Sequence, residues 1–109
     1  MVGVAVGNTA DMRFDVVEGG DRSLKVTVSG ELDITNIDTL ASAVAPALER
    51  EPARLVIEVG GLRFADSSAI ALWVQWATTV PDVELRHVPP LLRRVVDSMG
   101  LTETLKVSQ

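Results

Sequence analysis

Apolar and polar residues alternate in the first third of the chain in a way that predicts two strands. Residues 23–29 (SLKVTVS) place their large apolar side chains at every second position, which is typical of a strand with one buried face. A second short strand is predicted just before it, at residues 13–18. The Gly-Gly-Asp sequence at residues 19–21 indicates a tight turn between them. These two strands are therefore predicted to form an antiparallel hairpin.

The rest of the chain alternates between helical and strand patterns. Helices are predicted from residue 36 or 37 to about residue 48, at residues 67–78, and from Pro89-Pro90 to Gly100. Buried strands are predicted at residues 54–59 and 83–88, and a final edge strand at residues 105–107.

The order of these segments, β-β-α-β-α-β-α-(β), predicts the fold class. Strands that are separated by a helix must run parallel, with right-handed crossovers. We therefore expect a small α/β domain with a mixed sheet of four to five strands and three or more helices. This single domain is expected to cover residues 13–109, and residues 1–12 to form a loose N-terminal tail.

Composition excludes several classes of function. The chain has 109 residues, with 10 Lys and Arg against 15 Asp and Glu, and a net charge of −5. An acidic domain is poorly suited to nucleic-acid phosphates. Cysteine is absent and there is one histidine, so we expect no metal site and no thiol chemistry. The start of the chain has no basic targeting pattern, and no run approaches the roughly 20 apolar residues that cross a bilayer. We expect a cytoplasmic protein that does not insert into a membrane.

Two polar loops follow strands that are predicted to be neighbours. Residues 30–33 follow the strand at 23–29, and residues 62–68 follow the strand at 54–59. Because sites in such sheets lie beyond the carboxyl ends of the parallel strands, we expect both loops at one edge of the sheet. No Lys or Arg occurs at residues 26–49 or 64–85. The predicted edge is therefore acidic, which argues against a phosphorylated substrate and fits a basic patch on a partner protein.

Acidic side chains and two serines are the candidate functional groups of this edge. Asp66 or Ser67 can cap the helix that begins here, and the unpaired N–H groups of its first turn favour negative charge. A phosphate on Ser67 or Ser68 would therefore be tolerated, although from residue types alone a capping role is the more common one. Glu31 and Asp33 can equally be solvated turn residues, and Asp33 can cap the first helix. We predict no catalytic residues.

The helical segment at residues 70–77 is apolar on almost every side. Leu72 and Trp76 lie off its main stripe, so they either pack inside the fold or form an exposed anchor for a partner near Ser67. The stripe that is expected to face the core consists of Ile70, Trp73, Val74 and Ala77.

Four segments match one protein family in order and spacing. They are Gly-Glu-Leu-Asp-Ile at residues 30–34, the strand at 55–59, residues 62–68 with Asp-Ser-Ser at 66–68, and residues 89–101. On these segments, and over roughly residues 13–107, the sequence resembles the anti-sigma factor antagonists, single-domain members of the STAS family. The resemblance implies a cytoplasmic regulator of transcription in bacterial stress responses, with no cofactor.

The resemblance also implies partners and a phosphorylation site. The protein would bind an anti-sigma factor with a histidine-kinase-like ATPase fold and so free a sigma factor. That kinase would phosphorylate Ser67, with Ser68 as the second choice, and a serine phosphatase would reverse the modification. Asp33 corresponds to an acidic position of the family close to this serine. The expected partner surface is Glu31, Asp33, Asp66, Ser67, Ser68, Leu72 and Trp76.

A second function remains open because the family usually has glycine where this chain has Ala69 and Ala71. Some STAS proteins are not phosphorylated; one group assists a lipid-transport ATPase and others belong to stress-signalling assemblies. The alternative is thus a non-phosphorylated accessory subunit of a transport ATPase or signalling assembly, in a stable complex through Leu72 and Trp76. The chain has no glycine-rich phosphate loop and no base beside a nucleophile, so we predict that it is not an enzyme.

Overall fold

Five strands form one mixed sheet in the order in which they occur along the chain. The computed structural model describes residues 2–108. Its strands are β1 (Val2–Asn8), β2 (Met12–Glu18), β3 (Ser23–Leu32), β4 (Arg54–Ala65) and β5 (Asp82–Arg86). Its helices are α1 (Ile37–Leu48), α2 (Ser67–Thr79) and α3 (Pro90–Ser98).

The direction of each strand follows from its connection to the next. β1, β2 and β3 are joined by short turns and pair antiparallel. β3, β4 and β5 are separated by α1 and α2, and they pair parallel. The predicted α/β fold with a mixed sheet and three helices is confirmed, and so is the β2–β3 hairpin.

The core lies between one face of the sheet and the helices. Alternating positions of the central strands are fully buried, as Val26 and Ile57 show, and these two residues are direct partners in the β3–β4 register. α1 contributes Leu40 and α2 contributes Trp73, neither of which is exposed to solvent. Burial of a large apolar side chain contributes about 1.5–3 kcal/mol, so the alternation in the sequence selects the face that packs.

The N-terminal residues correct one prediction. The expectation of a loose tail at residues 1–12 is wrong for Val2–Asn8, which forms β1 and pairs with β2 in a register that joins Ala5 to Val16. Valine occurs at positions 2, 4 and 6, but glycine and alanine lie between these valines, so no polar face marks the alternation as a strand. A Cβ atom at Gly7 would lie 2.6 Å from the ring of Phe14, so glycine makes room for that side chain.

The pairing of β3 with β4 is irregular at Gly30, directly before Glu31 and two residues before the end of the strand. Gly30 has a φ of +91°, and a Cβ atom there would lie 2.2 Å from the carbonyl oxygen of Asp11. That same carbonyl accepts a hydrogen bond of 2.8 Å from the Glu31 N–H. Glycine is therefore required here both by the backbone conformation and by the close approach of the chain.

The C-terminal residues reach β5 but form less than the predicted strand. Leu85 and Val107 make an isolated parallel bridge, and the Ser108 N–H donates to the Leu85 carbonyl at 2.8 Å. β4 is longer than predicted and continues through Gly60 and Gly61 to Ala65. A Cβ atom on Gly61 would lie 2.8 Å from that of Ser29, so glycine at position 61 allows β3 and β4 to approach closely.

Candidate functional site

The ends of β3 and β4 lie side by side and bring the two polar loops together. Glu31 pairs with Phe64 and Leu32 with Ala65 in the parallel register. The Asp66 N–H then donates to the Leu32 carbonyl at 3.2 Å. The prediction that both loops lie at one edge of the sheet is confirmed, and this edge is the end at which the parallel strands β3 and β4 terminate.

The Asp66 carboxylate is the contact that joins these loops. It caps α2 by accepting a hydrogen bond of 3.0 Å from the Ser68 N–H, and it also accepts the hydroxyl of Ser68. Its other oxygen accepts a hydrogen bond of 3.2 Å from the Ile34 N–H in the opposite loop. Asp66, and not Ser67, is therefore the N-cap of α2.

These donors also explain the ionisation of Asp66. The Ser68 hydroxyl is the largest cause of a lowered pKa, and the N–H groups of Ser68 and Ile34 act in the same direction. Partial burial opposes them, but the pKa of Asp66 stays below its ordinary value of 3.8. The group is thus a carboxylate at neutral pH, directly before the first residue of α2.

The two serines have different environments. Ser67 is the first residue of α2 and is exposed, whereas Ser68 is half-buried and its hydroxyl is engaged by Asp66. An incoming protein can therefore reach the Ser67 hydroxyl without breaking the cap. The helix N-terminus next to it carries partial positive charge from the unpaired N–H groups.

Asp33 and Asn36 shape the loop between β3 and α1. The Asp33 carboxylate accepts a hydrogen bond of 2.9 Å from the Thr35 N–H, so it closes the turn before α1 and does not cap the helix. Asn36 is 4% exposed; its Oδ1 accepts from the Asp33 N–H at 2.9 Å and its Nδ2 donates to the Glu31 carbonyl at 2.8 Å. The sequence analysis missed Asn36, whose only signal was a polar residue directly before a helical stripe.

The charge of the edge differs from the prediction in one respect. Arg63 Nε lies 2.7 Å from Glu31 Oε2, so this basic residue, one position before the cation-free stretch, neutralises Glu31. Among residues 2–108, neither Asp33 nor Asp66 takes part in a salt bridge. The negative charge of the site is therefore concentrated on these two side chains.

Leu72 and Trp76 do not form an exposed anchor. Leu72 is 9% exposed and Trp76 is 4% exposed, and both belong to the hydrophobic core. α2 packs against α1, β4 and β5, so its buried face is wide enough to include Leu72 and Trp76. Ile70 and Trp73 of the predicted stripe are buried, whereas Val74 and Ala77 are only partly so.

The apolar surface at this edge comes from two residues that the sequence analysis did not select. Ile34 is 72% exposed in the loop after β3, and Phe64 is 52% exposed near the end of β4. Both lie in short segments that are otherwise polar, which was the signal that could have identified them. Exposed apolar residues beside a site are typical of protein-binding surfaces.

Two further features of the described residues bear on other functions. In the part of the chain that is described, no three acidic or histidine side chains are grouped closely enough to hold a metal ion. Between residues 2 and 108, none of the helices has the length and apolar character needed to span a bilayer.

Comparison with known proteins agrees with this fold. A family model described as "Mlab, STAS domain" matches residues 16–107. The structure is similar to an anti-sigma factor antagonist from Mycobacterium paratuberculosis, with a TM-score of 0.79, 21% identity, and coverage of 88% of this chain and 84% of the other. No curated protein matches the chain.

A second relative is known in two states. The anti-sigma factor antagonist SpoIIAA in its unphosphorylated form gives a TM-score of 0.76 at 18% identity, and 88% of each chain is covered. The Bacillus cell fate determinant SpoIIAA in the phosphorylated form gives 0.71 at 18% identity, with coverage of 88% of this chain and 91% of the other.

Proposed function

The chain belongs to the STAS-domain family, and from this premise we propose that it is an anti-sigma factor antagonist that is switched by phosphorylation of Ser67. In its unmodified state it binds an anti-sigma factor with a histidine-kinase-like ATPase fold, and a sigma factor is released. That kinase then phosphorylates Ser67, and a serine phosphatase restores the unmodified form. The protein acts in the cytoplasm as a regulator of transcription and has no catalytic activity of its own.

The observation that carries this proposal is the position of Ser67. Its side chain is exposed at the first residue of α2, next to the Asp66 carboxylate that holds the two loops together. The segments of family resemblance at residues 30–34 and 62–68 are the loops that meet here. The similarity of the fold to two anti-sigma factor antagonists supports the same assignment.

The physical basis of the switch is the added charge. A phosphate brings about −1.5 to −2 charges at neutral pH. In the free protein the N-terminus of α2 offsets part of the repulsion from Asp66, by about 0.3–1 kcal/mol. A docked partner has to remove water from the phosphate. This desolvation costs several kcal/mol unless the partner supplies a matching cation. Phosphorylation is therefore expected to release the complex while the fold stays intact.

The docking surface combines the acidic side chains with the apolar residues of the edge. Asp33, Asp66 and Ser67 supply its polar part, and Ile34 and Phe64 supply exposed apolar area. Leu72 and Trp76 have no place in it because they are buried. Glu31 contributes through its ion pair with Arg63 rather than as a free charge.

Phosphorylation is tested with the purified protein, its cognate anti-sigma factor and ATP. We expect intact-mass spectrometry to find one phosphoryl group on the wild type and on Ser68→Ala, and none on Ser67→Ala. Ser68→Ala is the matched control because it removes the neighbouring hydroxyl from the same helical turn. Modification of Ser67→Ala, or of no variant, would contradict the proposed switch.

Binding is tested by calorimetric titration against the same partner. Ser67→Ala is expected to bind with the affinity of the wild type, since the hydroxyl adds little to an interface. Ser67→Asp is expected to weaken binding by about tenfold or more, which corresponds to about 1.4 kcal/mol. Equal affinities for the two variants would rule out control by charge at this position.

The second candidate function is that of a non-phosphorylated accessory subunit of a transport ATPase or signalling assembly. Ala69 and Ala71 occupy positions where the phosphorylated family usually has glycine, and Ala71 is exposed one turn from Ser67. The other argument for this candidate, an exposed Leu72 and Trp76 face, is lost because both are buried. A stable complex with an ATPase that is unchanged by ATP and leaves Ser67 unmodified would favour it.

A further inference from the structure

A groove of about 520 Å³ separates the end of β4 from the first turns of α3. Leu62 and Leu92 lie at its base, 6% and 8% exposed. Phe64, Leu91 and Val95 stand at its sides, and they are 52%, 75% and 44% exposed. We call this feature the α3 groove. It adjoins the loop that leads to Ser67 and shares Arg63 and Phe64 with the docking surface proposed above, but it does not include Asp33, Asp66 or Ser67.

The exposed residues of α3 form a regular pattern. Leu91, Val95 and Met99 follow one another at a spacing of four residues and are all exposed, so they form an apolar stripe along one side of the helix. The fold already holds α3 through Leu92 and Val96, which point into the core. The outer stripe is therefore not needed for packing within the chain. A contiguous exposed apolar surface of this kind indicates an interaction site.

The charge of the groove identifies the kind of partner. The chain as a whole carries −5, yet the charged residues that line the groove, within residues 2–108, are Arg63 and Arg94. Arg63 is partly neutralised by Glu31, whereas Arg94 is exposed on α3. An occupant that matches this surface presents apolar side chains together with Asp or Glu.

We propose that the α3 groove docks an acidic amphipathic helical segment of a partner protein, with its apolar side chains against Phe64, Leu91 and Val95 and a carboxylate on Arg94. This is the helix-in-groove mode of recognition. A second copy of this chain that paired through the same groove is a poorer occupant, because the charged residues of its groove lining are again Arg63 and Arg94 and supply no carboxylate. An anionic membrane is poorer because lipid binding usually draws on clusters of four to eight basic residues. Docking in the groove does not require modification of Ser67, so it stands independently of the proposed switch.

The test begins with a display library of random peptides of about 16 residues, a length of four to five helical turns. The library is selected on the full chain. We expect enriched peptides to combine apolar residues at helical spacing with an excess of Asp and Glu. Synthetic versions of these peptides are then titrated by fluorescence anisotropy against the wild type and three variants, and circular dichroism confirms that each variant is folded.

The variants distinguish binding in the α3 groove from a general effect of surface charge on affinity. Leu91→Asp and Arg94→Glu are expected to weaken the selected peptides by about tenfold. Arg93→Glu is the matched control: it makes the same charge change on the neighbouring exposed residue outside the groove, and affinity should stay within about twofold. The substituted side chains are exposed, so loss of folding is not expected to obscure the result.

Several outcomes would overturn the proposal. These are a failure to enrich any peptide, enrichment of basic peptides, or binding that Leu91→Asp leaves unchanged. Cosedimentation with phosphatidylglycerol vesicles that is lost in Leu91→Asp would assign the groove to a membrane surface instead. A concentration-dependent dimer in sedimentation equilibrium that is lost in Leu91→Asp would assign it to self-association.

Discussion

Asp66 has two structural roles at the scale of the single residue. Its carboxylate accepts the N–H of Ser68 within α2 and the N–H of Ile34 from a loop 32 residues earlier in the chain. The helix cap and the contact between the loops therefore depend on the same side chain. Ser67, the proposed phosphorylation site, lies directly after it, so the position of Ser67 depends on both contacts.

Replacing Asp66 by Ala is expected to lower the free energy of unfolding by about 1–2 kcal/mol, because the cap is lost and the Ile34 N–H has no acceptor. Asp66→Asn keeps a capping oxygen and is expected to cost less. Urea denaturation at neutral pH measures both. Asp97→Ala, at an exposed position of α3, is the control and should change stability by less than about 0.5 kcal/mol. An Asp66→Ala variant as stable as this control would contradict the assigned role.

The same carboxylate predicts a dependence of stability on pH. The Ser68 hydroxyl, followed by the N–H donors, lowers the pKa of Asp66 below its ordinary value of 3.8. Since the folded pKa is below the unfolded one, the contribution of this group is complete above the unfolded pKa and is lost as the pH falls through the folded pKa. Unfolding of wild type and Asp66→Asn followed between pH 5 and pH 2 should show the smaller acid loss in the variant. If wild type and Asp66→Asn lost the same stability between pH 5 and pH 2, this contribution of Asp66 would be disproved.

At the scale of the element, the loop between β3 and α1 is held by Asn36. This side chain is buried and bridges the Asp33 N–H and the Glu31 carbonyl, which flank the end of β3. The loop that presents Asp33 and Ile34 is thus shaped by an amide that does not itself reach the surface. Gly30, two residues before the end of β3, has a positive φ and lies too close to the Asp11 carbonyl for a residue with a Cβ atom.

Asn36→Ala is expected to destabilise the protein by about 1–2 kcal/mol, because two partly buried backbone groups lose their partners. It should also weaken binding of the anti-sigma factor, since Asp33 and Ile34 lose their fixed positions. Thr39→Ala, at an exposed position in the first turn of α1, is the control and is expected to cost about half as much or less. Thermal unfolding measures the change in stability, and calorimetric titration measures the change in affinity for the anti-sigma factor. Unchanged binding by Asn36→Ala would separate this loop from the docking surface.

At the scale of the whole molecule, β1 determines which strand forms the edge of the sheet. β1 covers β2, and the opposite edge at β5 is joined by the C-terminal bridge at Val107. The loops of the candidate site lie at the ends of β3 and β4, in the interior of the strand order. The outermost strands of the sheet and the loops of the site are therefore separate parts of the fold.

Deleting residues 1–8 is expected to lower the melting temperature and to cause concentration-dependent association, because the backbone groups of β2 become an unpaired edge. Phosphorylation of Ser67 by the cognate kinase should continue, since both loops of the site remain. Sedimentation velocity and intact-mass spectrometry test these expectations. A shortened chain that melts at the wild-type temperature and stays monomeric would show that β1 does not protect the edge.

The sequence predicted most of the elements because their signals are local. The alternation in β3, the stripe of α1 and the prolines before β4 and α3 each report on neighbouring residues. The convergence of the two loops followed from the rule that strands joined through a helix are parallel. β1 escaped prediction because glycine and alanine, not polar residues, lie between its alternating valines, so the segment has no polar face. Ile34 and Phe64 escaped because an apolar residue within a polar loop does not by itself show whether its side chain faces the core or solvent.

The amino-acid sequence alone determined the order of the helices and strands, the α/β class and the two loops that carry Asp33 and Ser67. Only the tertiary structure decided that Leu72 and Trp76 are buried while Phe64 and Leu91 face solvent. The physical reason is that periodicity reports which side of an element is apolar, whereas burial depends on how many sides are covered by residues distant in the chain. α2 is covered on several sides and α3 on few, and that difference separates core from docking surface.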